Sequence, residues 1–318
     1  MVGTWSSLSP FQNYEQPFWT EDLQAASGGR LDADFKSMST LGIKGYETIS
    51  LLKRGVFDFG HATIAYVTGN VPEMEGMDLA GVATDMKTSR RNAEAYKETV
   101  NAHLAETEGV VMLAVYPFSS QYIFCKDEIS GLDDLKGKKI RTSSATHADF
   151  ITGVGATNVT IPFAEVVSAL QKGVVDCAVT GSMSAYGAGW AEIVHTVYAL
   201  PLNMGLSAMF VGKASWDALD PETRDLLVRT IGVWEEHAWA GLSEEDANGL
   251  VCLVGEGDCF AGASAGLTLV EPTVEDMERR KSILHTHVFT NWVERCGAGC
   301  ADVWNETVGK VAGFKIGQ

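Results

Sequence analysis

The sequence predicts an α/β fold with room for two lobes. Three observations carry this prediction. Strand-like and helix-like stretches alternate along the chain as far as Ala199, the β-α-β order of a sheet covered by helices. Residues 110–116 are apolar without interruption, as expected of a strand buried on both faces. A length of 318 residues gives each of two lobes enough chain for its own core. Hydrophobic residues make up 46% and charged residues 20%, the balance of a globular protein, and no stretch has the roughly 18 unbroken apolar residues of a membrane span.

Taken in order, residues 3–8 read as a strand and 13–26 as a helix that Gly28 and Gly29 stop. Residues 31–35 alternate and read as a strand. Residues 46–53 read as a helix ended by Gly55, 57–62 as a strand, 63–72 as a loop and 88–106 as a long polar helix. A short helical turn then leads into a strand at 138–142, with further strands at 157–161 and 174–179 and a helix at 163–172 between them. Residues 206–211 form another apolar strand. Asp220 caps and Pro221 opens a helix that runs through Trp234 and Trp239 to about Asp246. The Gly-rich segment 249–266 interrupts the pattern, and helices at 273–295 and 301–311 finish the chain.

The formal net charge of −17 excludes nucleic acid as a partner, because nothing neutralises phosphates. It fits a periplasmic or secreted protein from a salty habitat. It also poses a problem, since an acidic surface repels an anionic ligand at long range. Only a well-aimed local cation reverses that. The opening GTWSSLSPF reads as an interior first strand, not as a signal peptide, which suggests a mature periplasmic protein whose export signal was removed. The other reading is a cytosolic protein that never had one. Six cysteines suit an oxidising compartment. Cys252 and Cys259 flank a Gly-rich turn, and Cys296 and Cys300 flank Gly-Ala-Gly. These four either close two short loops or cross-link, with zinc as the alternative. Cys125 and Cys177 lie in expected strands and read as buried free thiols.

The segment GLDDLKGKKIRTSSATHADFITGVGATNVTIPFAEVVSALQKGVVD, residues 131–176, resembles the DctP-like solute-binding proteins of TRAP transporters. The likeness extends through ASGGRLDADF, LGIKGYETISLLKRGVFDFGHA, the Ala199-Leu200-Pro201 step and KASWDALDPETRDLL; segment 249–266 departs from it and looks like an insertion. The resemblance implies a two-lobed periplasmic binding protein fold with crossing strands and a long bracing helix. It implies lobes at 1–118 completed by 207–246, and at 119–206 completed by 247–318. A small organic acid would lie between them and pass to the membrane subunits of a transporter driven by an ion gradient. It implies no catalysis, no cofactor and a monomer.

The resemblance also assigns roles. Arg141 matches the family's arginine at the end of the strand after DLKG, where a guanidinium fork pairs with a carboxylate. Phe163 matches an aromatic that packs on the ligand, although helix-to-sheet packing would also account for it. Thr180, with Gly181 and Ser182, stands near a position where the family commonly has asparagine. Tyr186 and Trp190, one turn apart, line the pocket or cover the sheet. Gln121 stands near a position where many members carry a second arginine, which implies a ligand with one anionic group. Tyr116, Phe118, Trp5, Phe11 and Tyr66 fall where the family faces its cleft, an apolar wall suited to an aromatic or branched acid. Asn203 and Met204, at the second crossing, add a polar contact and a soft wall.

Enzyme signatures do not assemble. GVGATN at 153–158 precedes a strand where a dinucleotide fingerprint would follow one. No GxSxG, HExxH or phosphate-loop motif occurs. Of the histidines, only His285 and His287 are closely spaced, and they diverge on a helix. The alternative to a binding protein is a small two-lobed enzyme or sensor domain acting on an organic acid.

Overall fold

The structure, a computed structural model, describes residues 1–69 and 71–317. In chain order its strands are β1 Val2–Gly3, β2 Lys36–Ser37, β3 Phe59–Thr63, β4 Val110–Pro117, β5 Gln121–Cys125, β6 Lys139–Thr142, β7 Thr157–Thr160, β8 Cys177–Gly181, β9 Thr196–Tyr198, β10 Leu206–Gly212 and β11 Thr268–Val270. They form two sheets, each with its own helical cover. The first runs β2-β1-β3-β10-β4 and the second β11-β9-β5-β8-β6-β7. In the first, β1 and β3 are parallel and β10 is antiparallel to both its neighbours. In the second, β6 lies between β7 and β8 and is parallel to both, and β5 is antiparallel to β8. Every residue of β10 is buried, as an unbroken apolar run between covered faces should be.

Two segments carry the chain between the sheets. Residues 118–120 join β4 to β5, and 199–205 join β9 to β10. They pair with one another: Phe118 N donates to Gly205 O (2.9 Å), Gln121 N to Asn203 O (2.8 Å) and Leu202 N to Gln121 O (3.1 Å). The helix Pro221–Val254 braces this joint. Asp220 caps it by accepting from Thr223 N at 2.9 Å, and Gly255 ends it in the left-handed region at φ 99°. Its Trp239 donates to Val115 O of β4 (2.7 Å). Further along, Asp246 accepts from Ser120 N (2.6 Å) and Ser120 Oγ (2.9 Å) in the first crossing. Gly249 then lets it approach the second lobe, where a Cβ would meet Ser182 Oγ at 2.2 Å. At 34 residues the helix is about 50 Å long, enough to span both lobes. No helix of the described residues is long and apolar enough to cross a membrane.

Several local expectations change. The first strand is only Val2–Gly3, because the chain then turns Trp5 and Leu8 toward the cleft and becomes helical at Pro10. The first helix starts earlier than read, and its turns Pro10–Glu15 and Phe18–Asp22 are π-helical. Pro17 between them has no N–H to donate, so the ladder is interrupted there. The expected strand at 31–35 is irregular, and the edge pairing moves to Lys36–Ser37. The expected loop at 63–72 contains a helical turn, Ile64–Val67; Asn70 lies outside the described residues. The long helix continues to Val254, into the segment read as an insertion. Residues 298–312, grouped with the second lobe from sequence, pack through Val308–Ala312 on the helix Met86–Thr107.

Three disulfides join Cys125–Cys177, Cys252–Cys259 and Cys296–Cys300. Two of these close the short loops that the spacing suggested. The first corrects the reading of Cys125 and Cys177 as free thiols. They are register partners on antiparallel β5 and β8, so their side chains face each other on one side of the sheet.

Candidate ligand-binding site

A cavity of about 50 Å³ lies between the two sheets. Its walls come from the carboxyl ends of β1, β3, β6, β7 and β8 and from both crossings, the place where open α/β sheets leave a crevice. A larger hollow of about 530 Å³ opens on the first lobe, lined by Trp19, Leu23 and Leu227 with Asp32 and Asp58. Its lining includes no arginine, lysine or histidine side chain, so it does not suit an acid, and the smaller interlobe cavity is the candidate.

Arg141 is the third residue of β6 and is only 1% exposed. Its Nε donates to Ile161 O (2.8 Å), one terminal nitrogen to Val179 O (2.8 Å) and the other to the Tyr66 hydroxyl (3.2 Å). A guanidinium has five N–H groups, so these bonds fix its plane and leave one N–H on each terminal nitrogen. Among the described residues no carboxylate oxygen lies within 4.0 Å of it. A buried cation without an anion is unfavourable unless something supplies the counter-charge.

Tyr66 comes from the other lobe. Its hydroxyl accepts from Arg141 and also from Phe163 N (2.8 Å), two donors on the second lobe. Its ring stacks on Tyr46 at 4.3 Å and meets Trp5 edge-on at 5.4 Å. Trp5 in turn lies 5.3 Å from the Phe163 ring, and Phe163 stacks on Trp190 at 5.8 Å. These rings form one wall of the cavity, apart from Tyr46 and Trp190, which support it from behind.

Another part of the lining is polar. Asn203 donates to Asp78 Oδ2 (2.8 Å) and pairs through Oδ1 with His147 Nε2 (2.7 Å). With its amide nitrogen committed to Asp78, Asn203 presents an acceptor to His147, so the His147 proton sits on Nε2 and Nδ1 is an acceptor. His147 Nδ1 and Asp78 Oδ1 are both buried without a hydrogen-bond partner. Burial, reinforced by the charge of Arg141, lowers the His147 pKa to about 4, against the opposing bond to Asn203. Burial raises the Asp78 carboxyl to about 7, although Leu206 N and Asn203 donate to it. Gln121 turns its amide to Ser119 O (2.8 Å) beneath Gly205, where a Cβ would meet Nε2 at 2.5 Å.

The family model for DctP, bacterial extracellular solute-binding protein family 7, matches residues 1–251. The chain belongs to this family. It is a solute-binding protein, not an enzyme. A solute-binding protein of Albidiferax ferrireducens is 23% identical over 237 residues, covering 71% of this chain and 67% of that one. Two solved structures share the fold. The Bordetella pertussis extracytoplasmic solute receptor DctP7, binding pyroglutamic acid, superposes with a TM-score of 0.83 at 20% identity, covering 96% of this chain and 98% of that one. A TRAP periplasmic solute-binding protein from Rhodoferax ferrireducens with bound malonate gives 0.83 at 18% identity, covering 98% of each chain.

Of the residues singled out from sequence, the solute-binding protein brings Trp5, Tyr66, Phe118, Gln121, Arg141, Phe163, Thr180 and Asn203 to one cavity. Six others lie elsewhere. Phe11 stacks on Phe35 at 5.5 Å and packs over Gly3. Ser182 is buried against Gly249 of the bracing helix. Tyr186 points outward and donates to Ala263 O (2.8 Å). Tyr116, expected at the cleft, is buried among Glu15, His61 and Trp234. Trp190 lies behind Phe163, and Met204 accepts from Ser120 Oγ at 3.6 Å. Sequence reasoning missed Asp78 and His147. His147 had a signal, since it follows the Ser144 cap in the first turn of the helix after the arginine strand. Asp78 had none, being one acid among 41 in the chain.

Proposed function

We propose that this protein captures a small monocarboxylate in the periplasm by pairing its carboxylate with the two free N–H groups of Arg141, and hands it to the membrane subunits of a TRAP transporter. The observation that carries the reading is a buried guanidinium, fixed by three protein acceptors, beside a cavity and without a carboxylate partner within 4.0 Å among the described residues. A carboxylate delivered there supplies the missing counter-charge in a bidentate pair. The single cation, with Gln121 as its neutral neighbour, supports one anionic group on the ligand. The receptors that share the fold bind pyroglutamic acid and malonate, both small organic acids. The protein acts as a monomer whose two lobes, 1–118 with 207–246 and 119–206 with 247–297, close on the ligand, with the C-terminal helices packed on the first.

Calorimetry with a panel of small organic acids tests this. Arg141→Ala should weaken the preferred acid by at least about 100-fold, the scale of removing one partner from a buried charge pair. The variant should keep its cooperative melt. Near-wild-type affinity in Arg141→Ala would refute the reading.

A further inference from the structure

The cavity carries a second recognition pole, and it is an acceptor. Asn203 is clamped between His147 Nε2 and Asp78 Oδ2, so its hydrogen-bonding directions toward these neighbours are fixed. That arrangement leaves His147 Nδ1, and Asp78 Oδ1 once its carboxyl has lost its proton, as lone-pair atoms on two residues of the cavity wall. Both are buried and neither has a partner. Leu206 N also holds Asp78 Oδ2 at 3.0 Å, which keeps the free oxygen from rotating into that bond. Unmet acceptors away from water are unfavourable, and a ligand that brings only a carboxylate and hydrocarbon would bury them permanently.

We infer that the cognate solute bears an N–H or O–H donor on the same compact skeleton as its single carboxylate, with Asp78, positioned by Asn203 and assisted by His147, as the residue that selects it. This rests on the proposed capture of a carboxylate by Arg141. Arg141 reads the anion, and the acceptor pole rejects acids of the same size that lack the donor. With a cavity of about 50 Å³, donor and carboxylate sit close together, as they do in a lactam acid or a 2-hydroxy acid. The aromatic or branched acid suggested by the rings alone would leave both acceptors unpaired.

Two matched pairs of probes test the inference by calorimetry at pH 8, where the Asp78 carboxyl is ionised. The first is 5-oxopyrrolidine-2-carboxylate against 3-oxocyclopentanecarboxylate, which replaces the ring N–H by CH₂. The second is lactate against 2-methoxypropionate, which caps the hydroxyl. Benzoate and isovalerate serve as donor-free acids. In at least one pair the donor-bearing acid should bind about 100-fold or more tighter than its partner, because a site built around a polar contact discriminates strongly against its loss. Asp78→Asn can turn its amide toward the ligand and should bring that ratio down to within about tenfold, while Arg141→Ala abolishes binding of both members. Should Asp78→Asn fail to fold, the wild-type ratios decide alone. Donor-free acids binding as tightly as, or tighter than, their donor-bearing partners would overturn the inference and leave the Arg141 reading standing. Binding of no acid at all would overturn both.

Discussion

The Tyr66 hydroxyl is where one atom joins the two lobes. It accepts from Arg141 and from Phe163 N, so closure and the anion site share a contact. Lys44 and Glu165 also bridge the lobes, at 2.6 Å, but both side chains are more than half exposed, and such pairs contribute about 0–1 kcal/mol. The buried hydroxyl is therefore the stronger latch. In Tyr66→Phe both donors lose their acceptor when the lobes shut, whereas water serves them when the lobes are apart. The expected cost to closure is about 1–3 kcal/mol, and apparent affinity falls with the closed fraction. The variant should bind the preferred acid about tenfold or more weakly, and small-angle scattering should show less compaction on ligand addition. Unchanged affinity would reduce Tyr66 to a wall residue. Because Arg141 remains, the loss should be smaller than in Arg141→Ala.

At the scale of elements, the β5–β8 pair shows how structure and site are kept apart. Gln121 and Gly181 face each other at the cleft end of this ladder, and Cys125 and Cys177 at the far end. The disulfide therefore secures the sheet away from the ligand. Its separation of 52 residues closes a much longer loop than the 7 of Cys252–Cys259. In the chain-entropy account the losses on removal are about 4 and about 2.5 kcal/mol. Replacing Cys125 and Cys177 together by alanine should lower the melting temperature more than replacing Cys252 and Cys259, with the acid affinity unchanged. Equal melting losses would contradict the loop-length account, and a large affinity loss would contradict the separation from the site. The same elements show what was legible in sequence. β6 and β7 lay within about a residue of their expected bounds, and Asp220 capped its helix as read, because those signals are local. The Cys125 partner is set by strand pairing across 52 residues, which periodicity does not encode. Arg141 was visible because it matches the family's arginine after DLKG; its strand-end place alone reads as an ordinary surface arginine. Of its acceptor-rich counterpart only Asn203 was visible, because Asp78, His147 and Asn203 come from three separate segments that only the closed fold brings together.

For the whole molecule, the net charge of −17 is not the only acidic feature that resists neutral pH. Glu15 is buried in the first lobe with no cation beside it. Trp19 donates to His61 Nε2 (2.7 Å), so the His61 proton is on Nδ1 and goes to Tyr116 (3.0 Å), and Tyr116 donates to Glu15 (2.8 Å). Thr4 adds its N–H and its hydroxyl, each at 2.7 Å. Burial nevertheless raises the Glu15 carboxyl from 4.5 to about 7. A carboxyl raised on folding binds its proton more tightly in the folded state. Its contribution is fully present below pH 4.5 and is lost as pH rises through 7. Asp78 acts in the same direction between 3.8 and about 7. The buried His61 and His147 act oppositely. Burial lowers them from 6.5 to about 3 and about 4, so their contribution is present above pH 6.5 and is lost as pH falls through those values. These opposed terms blunt the pH dependence of the wild type, but they cancel when a variant is compared with it. Glu15→Gln removes one acid term and leaves the others in place. The stability of Glu15→Gln relative to wild type should therefore rise between pH 5 and pH 8 by about 2 kcal/mol, read as a growing difference in melting temperature. Melts in 0.15 M salt, where exterior charges are screened beyond about 8 Å, keep the buried term dominant. A difference that stays constant across that range would show that Glu15 does not titrate there. The three hydrogen bonds it accepts would then hold it ionised throughout, outweighing its burial.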